Sequence, residues 1–358
     1  MSQVVEGLKK IRRPVQIWLL IGCLMVFVQV VIGGVTRLTD SGLSITEWAV
    51  IQGTLPPMNL DAWTEAFDLY KVHAKKQFES LHADMTLSEF KVIFFWEYFH
   101  RLWARLMGFV FLFPFLAFWF MGWLPKWLMK RLGIVILIAV IVALFGWIMV
   151  ASGLNDDNRT WVSAYKLVTH LGLATLLFGY LFWTWLRSFQ GAGITNHAVL
   201  RNRSWWLLGF LSFQIVLGGL MAGMRAGLIH PHWPLFVNGG NLWNAMMSLS
   251  SEEGSLINYE GSVGVKAWVQ VFHRLTAYFL AGLVIWWLLQ VKKLGLQILV
   301  RGSIMFSILL VIQVFLGIIT VVMCKGGIPV LWGAMHQGLA LILISSLLYV
   351  IFQLRKDY

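Results

Sequence analysis

Apolar residues fall in eight long stretches with polar residues gathered between them: roughly Val15 to Val35, Trp96 to Trp123, Leu132 to Leu154, Val162 to Leu186, Trp205 to Met224, Val269 to Val291, Leu299 to Met323 and Val330 to Leu354. Each has about the 20 residues that an α-helix needs to cross a bilayer. Backbone groups in lipid must pair within their own segment, so the pattern predicts an all-α integral membrane protein with eight transmembrane helices. Two connections are far longer than turns, 36–95 and 226–268. The first holds Pro56-Pro57 and an amphipathic stretch, Leu60 to Phe78, predicted to lie as a helix on the outer membrane surface. The second is rich in Gly and Asn, contains His230-Pro-His232 and shows little periodicity.

Composition agrees with this picture: 59% of residues are hydrophobic, 12% are charged, and the mean hydropathy is +0.74. Charge then orients the helices. Lys9, Lys10, Arg12, Arg13; Lys126, Lys130, Arg131; Arg187, Arg201, Arg203; Lys292, Lys293, Arg301; and Arg355, Lys356 all occupy the same alternate set of connections. The rule that basic loops stay inside places both termini in the cytoplasm. With Glu6 and Asp357 that side carries +13 of the net +12, leaving −1 outside. The basic excess is therefore a topology signal spread over short inner loops, and it excludes nucleic acid as a partner. The first apolar segment lacks a small-residue cleavage site and is predicted to be an uncleaved signal anchor. Cys23 and Cys324 lie at depths roughly 18 Å apart at 1.5 Å per residue, too far for a disulfide.

The two halves of the chain repeat each other. Gln29-Val-Val-Ile-Gly-Gly34 recurs as Gln214-Ile-Val-Leu-Gly-Gly219, and Phe-His-Arg-Leu occurs at Phe99 to Leu102 and at Phe272 to Leu275. The fourth and eighth segments each place a histidine shortly after their outer start. The expected architecture is two four-helix bundles related by a pseudo-twofold axis along the membrane normal. Residues 1–190 would form the first, with outer loop 36–95, and residues 191–358 the second, with outer loop 226–268.

That repeat places His100, His170, His273 and His336 in one layer, roughly 6 to 12 Å below the outer boundary at 1.5 Å per residue. A single intramembrane histidine is usually a hydrogen-bonded packing residue. Four at matched depth, two per repeat, point instead to ligation. Zinc or copper sites need three or four protein ligands on one ion, whereas two imidazoles per repeat suit a haem, which supplies four nitrogens itself. His73, His82, His197, His230 and His232 fall in loops, where solvated or capping roles are expected.

Glu97 precedes His100 by three residues on the same helical face, about 4.5 Å further out. It can pair with Arg101 at i+4, or act as proton donor, base or nucleophile at the edge of a haem. Its counterpart in the second repeat is Gln270, so only one of the two sites has a carboxylate. One reactive haem and one electron-transfer haem are expected. Arg37, Arg101, Arg105 and Arg274 are candidate partners for haem propionates.

The chain resembles the haem A synthases over its whole length, particularly the mitochondrial and Gram-negative form. The residues that carry the resemblance are Gly33-Gly-Val-Thr-Arg-Leu-Thr-Asp-Ser-Gly-Leu-Ser44, Thr46-Glu-Trp48, Gly53 to Pro57, Glu97-Tyr-Phe-His-Arg-Leu102 with Arg105, and the paired histidine helices. The resemblance implies successive hydroxylations that turn the C8 methyl of haem O into the formyl group of haem A, for cytochrome oxidase. It implies His100 and His170 as ligands of the substrate or product haem, His273 and His336 as ligands of a haem b cofactor, and Glu97 as the essential carboxylate. The partners it implies are haem O with its farnesyltransferase source, membrane lipid, an electron donor, cytochrome oxidase assembly factors and a second copy of the chain. The location it implies is a bacterial inner membrane with the haem sites towards the outer face. Some bacterial members carry a cysteine pair in the first outer loop, and this chain has none there. It also has Ala104 where a glycine often precedes the arginine, and Arg225 where the mitochondrial form is commonly acidic.

Two readings from other classes remain open at this level. A di-haem cytochrome carrying electrons between quinol and an external acceptor would use the same histidines but has no need of a lone Glu97. A transporter or haem-free assembly factor would share the repeats and lack haem absorbance.

Overall fold

A computed structural model describes residues 11–46, 55–154, 160–234, 241–247, 256 and 259–355. The described residues form eleven α-helices and contain no strand. They are α1 (Arg13–Leu38), α2 (Leu60–His73), α3 (Lys75–Leu81), α4 (Leu87–Phe120), α5 (Lys126–Ala151), α6 (Ala164–Gln190), α7 (Ala198–Gly223), α8 (Asn241–Met247), α9 (Val263–Lys293), α10 (Gln297–Val322) and α11 (Val330–Gln353). Eight of them, all but α2, α3 and α8, are long and apolar enough to cross a membrane, as the hydrophobic pattern predicts. The chain is a multi-pass membrane protein.

Helix ends fall where local chemistry satisfies the backbone. Pro14 stands in the first turn of α1, where its missing N–H costs nothing. The side chain of His197 caps α7 by accepting from the Leu200 amide at 3.1 Å. The largest departure from the hydrophobic pattern is α4, which starts nine residues before Trp96. Its start is fixed by polar contacts: Thr86 and Glu89 form a capping box, with the Thr86 amide donating to the Glu89 carboxylate at 2.8 Å. Similarly α9 begins at Val263, behind a Ser262 cap.

The first outer connection packs on that extra length of α4. Phe67 and Tyr70 of α2 are buried against Phe90, Ile93 and Phe94 of α4, together with Leu43 and Val162. The apolar face of 60–78 thus covers protein. An amphipathic pattern alone cannot tell an apolar helix face from a lipid surface. The Tyr70 hydroxyl lies 2.6 Å from Nδ1 of His82, the residue that ends α3.

Burial holds the His82 imidazole below its ordinary value of 6.5, so the folded segment favours the neutral ring. The unfolded segment takes up the proton first as pH falls. Stability is therefore complete above about pH 6.5 and is lost as pH drops towards the lower folded value. Hydrogen exchange over 60–86 should be slower at pH 7.5 than at pH 5.5, after correction for intrinsic rates, and His82→Gln should flatten that difference.

Contacts among the spanning helices follow the sequence repeat. α1 packs on α4 and α6 as α7 packs on α9 and α11, and α5 packs on α6 as α10 packs on α11. Between the halves α1 meets α11 and α6 meets α7. One apolar core joins α7, α9, α10 and α11, and another joins α1, α5 and α6 with Phe111 and Phe115 of α4. Small residues allow the close approaches: a Cβ at Gly34 would stand 2.5 Å from the Gln337 side chain, and one at Gly223 would stand 2.7 Å from Ala164 Cβ.

Candidate functional site

A continuous cavity of about 960 Å³ runs through both halves, near the upper end of small-molecule sites at about 300–1,000 Å³. Its walls include Arg37, Glu97, His100, Arg101, Arg105, His170, His273, Arg274 and His336, all nine residues singled out from the sequence. The histidine-bearing helices face each other across it. α4 and α6 are both packed on α1, and α9 and α11 are both packed on α7. His170 and His336 each lie six residues after their helix start, at Ala164 and Val330.

Each imidazole is set against a glycine of a neighbouring helix. A Cβ at Gly33 would lie 3.0 Å from the His100 ring and one at Gly146 would lie 3.0 Å from His170. At Gly218 the distance to His273 would be 3.3 Å, and at Gly317 to His336 it would be 2.9 Å. The four glycines occupy equivalent repeat positions. Gly33 and Gly218 stand in the repeated Gln-x-x-x-Gly-Gly stretch, but the Gly146 and Gly317 helices have no shared motif that advertises them. Any side chain at these points would push the ring into the cavity.

Hydrogen bonds set the ring orientation. Nδ1 of His170 is 3.0 Å from the Val142 carbonyl, and Nδ1 of His336 is 3.1 Å from the Gln313 carbonyl. A carbonyl only accepts, so in both rings Nδ1 carries the hydrogen and Nε2 keeps its lone pair, the form that binds a metal. The Gln29 amide donates to the His100 carbonyl at 3.2 Å, and Gln214 donates to the His273 carbonyl at 2.8 Å while also lying 3.1 Å from its Nδ1. The His273 and His336 ring centres are 6.4 Å apart with planes at 81°. Two metal–nitrogen bonds of about 2 Å, with about 1.1 Å from each nitrogen to its ring centre, require about 6.3 Å. His100 and His170 are also close enough to interact electrostatically. Among the described residues no cluster of three or more His, Cys, Asp or Glu forms a metal site without a macrocycle.

Glu97 is 3% exposed and receives three donors. Oε2 accepts from the Ser44 hydroxyl and from the Ile45 amide, both at 2.8 Å, and Oε1 accepts from Arg101 at 2.6 Å. The ion pair open to Glu97 and Arg101 at i, i+4 is therefore made. Arg101 also donates to the Ile45 carbonyl at 2.7 Å, so the pair clamps the segment after α1 over the His100 side of the cavity. The second repeat has a version without the carboxylate. Gln270 and Arg274 both donate to the His230 carbonyl, at 3.0 and 3.3 Å. His230 is 2% exposed, so its loop position does not make it solvated; the clamp buries it. Glu47, Trp48, Gly53 and Thr54, which also carry the sequence resemblance, lie outside the described residues.

The remaining basic residues divide by depth. Arg37 reaches from the end of α1 to Asp40 at 3.3 Å and to the Ala222 and Gly223 carbonyls at 3.2 Å, joining the two halves. Arg225 pairs with the same Asp40 and lies over the Trp161 ring at 4.1 Å. Two guanidiniums share one carboxylate here, and Arg37 Nε is buried without a hydrogen-bond partner. Arg105 lines the cavity about 7.5 Å deeper than His100 at 1.5 Å per residue. Cys324 is also in the wall; burial pushes its thiol up to about 11, so it is no thiolate at neutral pH.

The sequence profile of the cytochrome oxidase assembly protein family matches residues 16–348. The haem A synthase of Flavobacterium psychrophilum is 36% identical over 348 residues, which cover 97% of this chain and all of that protein. That of Bradyrhizobium sp. strain ORS 278 is 39% identical, covering 92% of this chain and 88% of its own length. That of Nitrosospira multiformis is 37% identical, covering 97% and 95%.

Proposed function

Because the chain belongs to the cytochrome oxidase assembly protein family and aligns with haem A synthases over nearly its whole length, we propose that it converts haem O to haem A. The reaction oxidises the C8 methyl group of the substrate to a formyl group. The observation that carries this reading is the asymmetry of one cavity: two imidazole pairs line it, and only the first has a buried carboxylate one turn away.

In this reading the helix contacts divide the protein into two related bundles. His100 and His170 hold the substrate haem between α4 and α6, and His273 and His336 hold a haem b cofactor between α9 and α11. The 6.4 Å ring separation and the four glycine cradles support that fit. A bound haem supplies four equatorial nitrogens, an iron that accepts two imidazoles, and a one-electron couple. The protein supplies the rest. The Val142 and Gln313 carbonyls hold Nδ1–H and leave Nε2 as the binding nitrogen. Glu97, fixed by Ser44, Ile45 and Arg101, holds or accepts a proton at the outer edge of the substrate. Arg37, Arg101 and Arg274 at the outer end are the propionate partners, with Arg105 as a deeper fourth candidate.

The basic loops support cytoplasmic termini in a bacterial inner membrane, which sets the haem sites towards the outer face. A host that makes haem O but no haem A tests the activity. Expression of this chain should make haem A appear in extracted membranes. Haem O persisting unchanged beside well-expressed protein would refute it.

A further inference from the structure

The two halves of the cavity differ in depth, and the difference assigns a ligand feature. Below His273 and His336 the cavity ends at Leu211, Leu280, Leu310 and Leu343, each seven residues from its glycine or histidine, or roughly 10 Å at 1.5 Å per residue. Below His100 and His170 it continues to Trp18 and Phe115, fifteen residues on, or roughly 22 Å. The repeat shows what closes one and opens the other. Gly22, Val135 and Ala139 stand where the second half has Leu207, Phe306 and Leu310. Gly22, Val135 and Ala139 line the cavity, whereas Leu207 and Phe306 are buried in the apolar core.

A second asymmetry accompanies the first. α9 and α10 pack on each other, but among the described residues their counterparts α4 and α5 do not form a packed pair. Ile136 and Val140 of α5 line the cavity on that side. The deep slot therefore has an apolar wall along α5.

We propose that this slot holds the isoprenoid tail that haem O carries and haem b lacks, and that Gly22, Val135 and Ala139 are the residues that admit it. The inference rests on the reading that the first half binds haem O. The slot is apolar where the outer end of the cavity is lined by Arg37, Arg101, Arg225 and Arg274, and the tail and the propionates leave opposite edges of the macrocycle. A tail pointing inward directs the propionates to Arg37 and Arg101. The second half, filled by Leu207, Phe306 and Leu310, accepts only a haem without the tail.

The test grafts the second half onto the first. Ala139→Leu and Val135→Phe are purified from cells that make both haem b and haem O, and extracted haems are quantified. Farnesylated haem, meaning haem O, haem A and their intermediates, should fall at least tenfold relative to haem b, with haem b per protein unchanged. Haem b content reports an intact fold; if Ala139→Leu loses it, Ala139→Val repeats the measurement with a smaller graft. A wild-type ratio in the grafted proteins would overturn the slot. Wild-type protein with haem b and no farnesylated haem would instead remove the reading on which the slot rests.

Discussion

Glu97→Gln should abolish haem A formation, by at least about 100-fold, while leaving both haems bound. A positioned proton-transfer group is worth about 10² to 10⁴ in rate. The substitution keeps the shape of the side chain and one acceptor oxygen, which can serve Ser44 and Ile45, but replaces the charged oxygen that faces Arg101. Haem O should accumulate in the purified protein in place of haem A. Two further variants separate chemistry from architecture. Glu97→Asp retains the charge but retracts it, and should recover part of the turnover. Ser44→Ala removes one donor to the carboxylate and should lower turnover less than Glu97→Gln. Glu97→Gln protein that made haem A at the wild-type rate would show that the carboxylate serves only to hold the segment after α1.

His336→Ala should remove haem b, and with it turnover, without removing haem O from the first site. The Gln313 carbonyl would lose its donor, and the wall at Gly317 would lose the ring it accommodates. Any haem b still retained would be held by one imidazole only and would differ from wild type in its absorption and electron paramagnetic spectra. His273→Ala should do the same from the opposite side. His100→Ala and His170→Ala should instead deplete farnesylated haem and spare haem b. If all four variants lost both haems in equal measure, the sites would not be separable and the assignment by halves would fall.

Much of this was readable in the chain because lipid leaves few options. Eight apolar stretches became eight helices, since backbone groups in a bilayer pair only within a segment. The repeated motifs led to the four histidines because each recurs in the corresponding helix of the other half. Other features escaped for identifiable reasons. The start of α4 depends on a Thr86–Glu89 capping box lying outside the apolar run. The outer helix α2 buries Phe67 and Tyr70 against α4, a choice of partner that amphipathicity cannot make. Gly146 and Gly317 look like ordinary small residues until the facing imidazoles are in place. The Arg37–Asp40–Arg225 cluster joins residues nearly two hundred positions apart, and Arg225 makes sense only beside Asp40. The unequal depth of the two half-cavities was already encoded in Gly22 against Leu207 and Ala139 against Leu310, but it needed the register of the repeats in three dimensions to be seen.

In this reading one chain holds two chemically different haems and oxidises one of them. The most direct measurement is identification, by chromatography and mass spectrometry, of the haems extracted from protein purified with a haem O supply. Haem b should be found together with haem A or a hydroxylated form of haem O. Haem b alone, with haem O abundant in the same membranes, would contradict it and point to a cytochrome that only carries electrons.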